Sequence, residues 1–138
     1  MSKYKVIKTE FKNGASLVKA LLDLGVKFEE SANLKQNNVV LKTSWRTFGS
    51  SDYDVAIAIQ REAAREAGLG FMDGLGFQWN GTGYNLIEDH SSTMVEKMNQ
   101  LRQRYAVHEV RRQARVKGYG IQEQAQTDGT IRMTLIRR

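Results

Sequence analysis

The sequence predicts an α+β fold, a mainly antiparallel sheet with two or three helices packed on one face. Short alternating apolar runs such as Tyr53–Ile59 mark strands, Asn80-Gly81 and Asp128-Gly129 mark hairpin turns, and three segments carry helical spacing. With 138 residues the chain is expected to form a single domain over residues 1–138.

Residues 3 to 10 read as an opening strand. Ser16 to Leu24 follows as a short helix with Leu17, Leu21 and Leu24 on one side, closed by Gly25. Val26 to Glu30 begins the next strand, a polar turn occupies Lys35-Gln36-Asn37-Asn38, and Val39 to Thr43 alternates as a strand. Ser44 to Asp52 reads as a loop. Tyr53 to Ile59 is expected as one strand with Val55, Ile57 and Ile59 facing one way, and Gln60 to Ala67 as a helix stopped by Gly68. The first hairpin spans Gly76 to Ile87. The chain closes with a second hairpin, Tyr119–Gln126 to Ile131–Arg137, in which Ile131, Met133 and Leu135 share a face.

Between the hairpins lies the longest helix, Met94 to Lys117. Thr93 and Glu96 have the spacing of a capping box, Gly118 suits the residue past the end, and Met94, Met98, Leu101 and Tyr105 form one narrow apolar arc. Lys97, Arg104, His108, Arg111 and Arg115 fall within roughly 60° of one another on the same wheel, about 100° from that arc. Seven Lys/Arg against two Glu give this segment +5 of the net +6 of the chain. One reading of the ridge is a solvated helix face. The other is an anionic partner, with RNA or DNA ahead of a membrane, because the apolar arc is too narrow for an interfacial helix and is needed for the core.

Composition narrows the chemistry. Hydrophobic residues at 41% and charged residues at 26% describe an ordinary globular chain. The absence of cysteine removes disulfides, thiolate nucleophiles and cysteine metal sites. The start, Met1-Ser2-Lys3-Tyr4-Lys5, lacks the apolar run of a signal peptide, and no stretch approaches the ~20 apolar residues of a membrane span. A protein used in the compartment where it is made, the cytoplasm, is the resulting expectation.

Other motifs are thin. Gly68-Leu69-Gly70-Phe71 and Gly74-Leu75-Gly76-Phe77 repeat, but Asp73 stands where a dinucleotide fingerprint needs glycine and no Gly-Lys-Ser/Thr follows. His90 and His108 are the only histidines and read as solvated or capping residues. Asp52 and Asp54 share a side of a strand entrance, where they either end the strand or hold a hard cation. No catalytic, metal or cofactor residue is nominated, and enzyme is the minority reading. Phe77, Trp79 and Tyr84 offer either base stacking or core packing, with core favoured for Phe77 and Tyr84 and Trp79 left open. Trp45, Arg46 and Phe48, in the Ser44–Asp52 loop, are candidate protein-contact residues.

Phe77-Gln78-Trp79-Asn80-Gly81, Tyr84-Asn85-Leu86-Ile87, Gln103-Arg104-Tyr105-Ala106 and Asp128-Gly129-Thr130-Ile131-Arg132 together resemble a family of small hypothetical proteins of cyanobacteria and red-algal plastids, catalogued as a domain of unknown function. The likeness runs from about Tyr53 to the end and is weaker before it. The chain departs from the family pattern in carrying Gln60–Gly74 and in ending Arg137-Arg138, where arginine followed by tryptophan is expected. The resemblance implies a single α+β domain in a cytoplasmic or plastid-stroma-like setting and no particular activity.

The functional expectation is a non-catalytic binding module whose ridge, Lys97, Arg104, His108, Arg111 and Arg115, engages an anionic partner, most simply nucleic acid. The alternative is a protein-interaction or regulatory subunit docking onto a larger complex through a sheet edge or the Trp45–Gly49 loop. Oligomeric state stays open.

Overall fold

The computed structural model describes residues 4–42, 52–69, 74–89 and 95–137. In chain order the elements are β1 (Tyr4–Lys8), α1 (Gly14–Asp23), β2 (Glu29–Glu30), β3 (Val39–Leu41), β4 (Tyr53–Val55), β5 (Ile57–Ile59), α2 (Arg61–Ala67), β6 (Leu75–Trp79), β7 (Tyr84–Asp89), α3 (Val95–Lys117), β8 (Tyr119–Ala125) and β9 (Ile131–Arg137). Five strands form one antiparallel sheet in the order β1-β7-β6-β5-β2, while β3–β4 and β8–β9 are separate two-stranded ladders. The fold is α+β with a mainly antiparallel sheet.

Register decides what each face of the sheet does. Ile57, Phe77, Leu86 and Ile7 align across β5, β6, β7 and β1. This row packs into the main core with Leu17 and Leu21 of α1, Ala64 of α2, and Met98, Leu101 and Tyr105 of α3. All three helices therefore serve one face. The neighbouring row, Ala58, Gly76, Ile87 and Val6, points the other way, and Ala58 and Ile87 cluster there with Leu41 and Val55 of the β3–β4 ladder. Small residues let that ladder settle close, for a Cβ on Gly76 would meet Val55 Cγ1 at 2.9 Å and Leu41 Cδ2 at 3.2 Å. Gln60 pins it in place. Its amide donates to Val40 O at 2.8 Å and Glu29 Oε1 at 3.1 Å, and its own oxygen accepts from Lys42 N at 3.1 Å.

Local chemistry sets the element ends. Asn13 Oδ1 accepts from Ser16 N at 2.9 Å, so α1 starts at Gly14 rather than Ser16. Gly25, Gly68 and Gly118, with φ of 70°, 72° and 76°, end their helices in the left-handed conformation that glycine tolerates best. In the first hairpin, Asn80 Oδ1 gathers Thr82 N at 3.0 Å, Gly83 N at 2.9 Å and the Thr82 hydroxyl at 3.1 Å, building a four-residue turn.

The structure corrects several sequence expectations. Tyr53–Ile59 is two strands, because at Ala56 the chain bends and pairs elsewhere: its N–H donates to Phe77 O at 2.9 Å and its carbonyl accepts from Ser31 N at 2.7 Å. Val55 therefore faces Leu41, and does not join Ile57 and Ile59 in the main core. The opening strand stops at Lys8, since the Thr9 hydroxyl turns to donate to Tyr84 O at 2.6 Å and Phe11 enters the core. The strand expected over Val26–Glu30 contracts to Glu29–Glu30. Thr93, Met94, His90, Gly70, Phe71 and the Trp45–Gly49 segment lie outside the described residues.

Gly74 sits where β6 passes the β5–α2 corner, and a Cβ there would fall on the Ile59 carbonyl oxygen with Arg61 N and Gln60 C at 3.0 Å. Backbone cannot yield as a side-chain tip does. Overpacking costs of about 1–3 kcal/mol outweigh the ~0.5–1 kcal/mol gained by leaving glycine. Gly74→Ala is expected to lower the urea midpoint, and an unchanged or raised midpoint would contradict this reading.

Candidate interaction surface

Helix α3 is polar for its length and is held on two faces. Met98, Leu101 and Tyr105 are buried against α1 and the sheet, as their spacing predicts. Val107 and Ala114 are also buried, and they lie on the same side of the helix as Arg111, which reaches Glu123 of the β8–β9 hairpin. Phe11 packs edge-on against Tyr105 at 4.8 Å and Phe77 at 5.7 Å. The Tyr105 hydroxyl also accepts from Lys12 N at 2.9 Å and Asn13 N at 3.0 Å, joining α3 to the entry of α1.

The five ridge residues do share a side of α3, but they meet different fates. Arg104 Nε and Nη2 reach Asp23 Oδ2 at 2.9 Å and 2.8 Å, and His108 Nε2 reaches the same oxygen at 2.6 Å. An ionised carboxylate only accepts, so the imidazole is the donor. Asp23 stands at the C-terminal end of α1, where a negative charge opposes the helix dipole, and these two donors compensate it. Arg111 clasps Glu123 of β8 bidentately at 2.8 Å and 2.6 Å. Beside the ridge, Arg112 clasps Glu109 at 3.0 Å and 2.9 Å, Glu109 also accepts from the Ser16 hydroxyl at 2.7 Å, and Arg102 reaches Glu10 at 3.2 Å. Among the described residues Lys97, Arg115 and Lys117 are the cations of α3 without an acidic partner.

Sequence reasoning missed Asp23 and Glu123, which neutralise the middle of the ridge. The one legible sign was that Ile131, Met133 and Leu135 of the last hairpin needed a cover, and α3 was the element preceding it. Arg115 stays exposed and, with Arg111, Gly118, Tyr119, Gly120 and Ile121, lines a cleft of about 270 Å³ at the hairpin root.

Electrostatics agree with the geometry. Burial pushes the Asp23 carboxyl up, but the hydrogen bonds from His108 and Arg104 outweigh it and hold the group below its ordinary range. Arg112 holds Glu109 low in the same way against burial, and Arg111 does so for Glu123.

Phe77, Trp79 and Tyr84 share the helix-facing side of the sheet, which spends them on the core rather than on a stacking platform. Phe77 and Tyr84 are fully buried. The Tyr84 hydroxyl donates to Leu34 O at 2.6 Å, and burial, with Tyr105 nearby, pushes its pKa up to about 12. Trp79 is half-buried, edge-on to Tyr84 at 5.1 Å with Lys35 Nζ 5.8 Å from its ring. Trp45, Arg46 and Phe48 lie outside the described residues. Among the described residues no cluster of three or more metal-ligating side chains forms, and no helix is long and apolar enough to cross a membrane.

These features define an α+β protein whose longest helix is braced by carboxylates from the elements on either side of it. The chain belongs to the family described as protein of unknown function (DUF1257), whose model matches residues 20–134. That span contains Asp23, α3 and Glu123. No curated protein and no solved structure matches the chain.

Two outcomes follow from the braces. Asp23, Glu109 and Glu123 sit below their ordinary values of 3.8, 4.5 and 4.5, so their stabilisation is complete above pH 4.5 and is lost as pH falls through the lowered values. Asp23→Asn should cost about 1 kcal/mol at pH 7 and flatten the loss of stability in acid, as followed by denaturant titration at several pH values. Tyr105→Phe strands two backbone N–H groups at the α1 entry and should cost about 1–3 kcal/mol, measured by thermal unfolding; a change near zero would mean that the hydroxyl is not the tie described.

Proposed function

We propose that this protein is a non-catalytic interaction module that docks onto a protein partner through the end of the molecule where α3 runs into the β8–β9 hairpin. One observation carries the reading: exposed apolar and exposed cationic side chains gather there. Val116 is 75% exposed and Leu135 51%, with Leu135 and Ile121 on the hairpin face that carries Glu123 toward α3, while Ile136, 47% exposed, sits beside Gly120 on the reverse face. Arg115 and Lys117 flank Val116 and carry no acidic partner among the described residues. Exposed apolar side chains interspersed with charge suit a protein interface, whereas a nucleic-acid surface is more uniformly basic.

Nucleic acid is the second reading, favoured by Lys97, Arg115 and Lys117, which have no acidic partner among the described residues. Against it, Arg104, His108 and Arg111 would have to leave Asp23 and Glu123 to contact a backbone. The resemblance to cyanobacterial and red-algal plastid proteins supports a cytoplasmic or stroma-like setting.

Affinity capture compares wild type with the Leu135→Asp/Ile136→Asp double variant in 0.5 M salt, after circular dichroism has established that the variant is folded. The expected result is a defined partner retained by wild type and lost by the variant, since apolar contacts resist screening. RNA or DNA binding that persists near 0.15 M salt and disappears in Arg115→Gln/Lys117→Gln would replace the docking reading with the nucleic-acid one.

A further inference from the structure

We propose that the outer edge of β9 is the docking element and that its occupant is an acidic, alternately apolar protein segment which adds to the hairpin as a third strand. The proposal rests on the docking reading above and names the partner chemistry of the same surface.

The backbone argument starts at the turn. Gln126 N donates to Thr130 O at 2.8 Å, and hydrogen-bonded pairs alternate along an antiparallel ladder. Gln124↔Arg132, Gln122↔Thr134 and Gly120↔Ile136 are then the hydrogen-bonded pairs, which leaves the N–H and C=O groups of Ile131, Met133 and Leu135 pointing away from β8. Among the described residues no other segment supplies them a backbone partner.

This edge lacks the usual protection. β9 runs seven residues in unbroken register without proline or bulge. Of the other edges, β2, β3 and β4 have two or three residues and β1 carries Lys5 and Lys8, while β8, as long as β9, carries Glu123, which is tied to Arg111 of α3. A two-stranded ladder is marginal in water, and α3 covers this one incompletely, since Leu135 remains half exposed. A third strand would complete the ladder and extend the apolar row of Ile131, Met133 and Leu135.

Charge selects the occupant. Glu123 is committed to Arg111, and Asp128 accepts from Thr130 N at 3.0 Å and from its hydroxyl at 2.6 Å inside the turn. Asp128 keeps its negative charge in the turn, but Arg115, Lys117 and Arg132 have no acidic partner among the described residues, so the hairpin and the end of α3 are net positive. A second copy would bring the same set and be repelled. An acidic strand is matched.

The test uses the full chain and two peptides, acetyl-Glu-Val-Glu-Ile-Glu-Val-Glu-amide and its lysine counterpart, with amide exchange read by NMR. The acidic peptide should slow exchange at Ile131, Met133 and Leu135 about tenfold, and the lysine peptide should not. Leu135→Pro removes an outward N–H that β8 does not use and should weaken peptide binding about tenfold, whereas Leu135→Ala keeps the donor and should bind within about threefold of wild type. Equal binding of both peptides, binding without protection at these amides, or no binding at all overturns the proposal. Each of those results leaves the docking reading to be judged by the capture experiment, whose Leu135→Asp/Ile136→Asp variant reads partner retention directly.

Discussion

The placement of α3 combines a narrow apolar face in the core with guanidinium groups matched to carboxylates from elsewhere in the chain. Of its 23 residues only five are buried, so most of its surface is polar and the ion pairs fix how its flanks are turned. The acids come from both sides in sequence, Asp23 from α1 and Glu123 from β8, so the helix is clasped between an element made before it and one made after it. Each clasp is partly shielded from solvent. Arg104 and His108 side chains are 25% and 11% exposed and Asp23 is 32%, which raises these pairs above ordinary surface ion pairs without the full desolvation cost of a buried one.

The sheet obeys a different constraint, the size of residues on its second face. Ala58 and Gly76 lie in one row beneath Leu41 and Val55, and only small residues there allow a two-stranded ladder to lie flat on the five-stranded sheet. Gln60 completes the closure from the α2 end, satisfying the backbone of β3 with its side chain because it has no ladder partner to offer there. The molecule is thus layered as helices, sheet and short ladder, and among the described residues the last hairpin packs chiefly against α3.

Much of this was legible from residue pattern. Met98, Leu101 and Tyr105 follow helical periodicity, and Gly118 ends α3 where a left-handed residue was needed. The bend at Ala56 was not legible, because Val55, Ile57 and Ile59 alternate perfectly well for one strand and only the competing partners Phe77 and Ser31 divide them. The ridge was read from a helical wheel, which counts acids within the helix. Asp23 and Glu123 lie 81 and 12 residues from the arginines they meet, so their neutralising effect is a tertiary fact that no wheel contains. Val107 and Ala114 were missed for a related reason: the second face of α3 has alanine and arginine where an apolar stripe would have announced a contact.

The ties at the start of the chain set a timetable for synthesis. Thr9 is bonded to Tyr84, 75 residues ahead, and Lys12 to Tyr105, 93 residues ahead. At the ~5–20 residues per second of a translating ribosome, the segment from Thr9 to Asn13 waits roughly 5 to 20 s for the tyrosine that will hold it. Until Asp89 has been made β1 has no β7 to pair with, so the strand must be kept from other unpaired edges over most of that interval. Lysines at positions 5 and 8 place positive charge on the strand that spends longest without its partner.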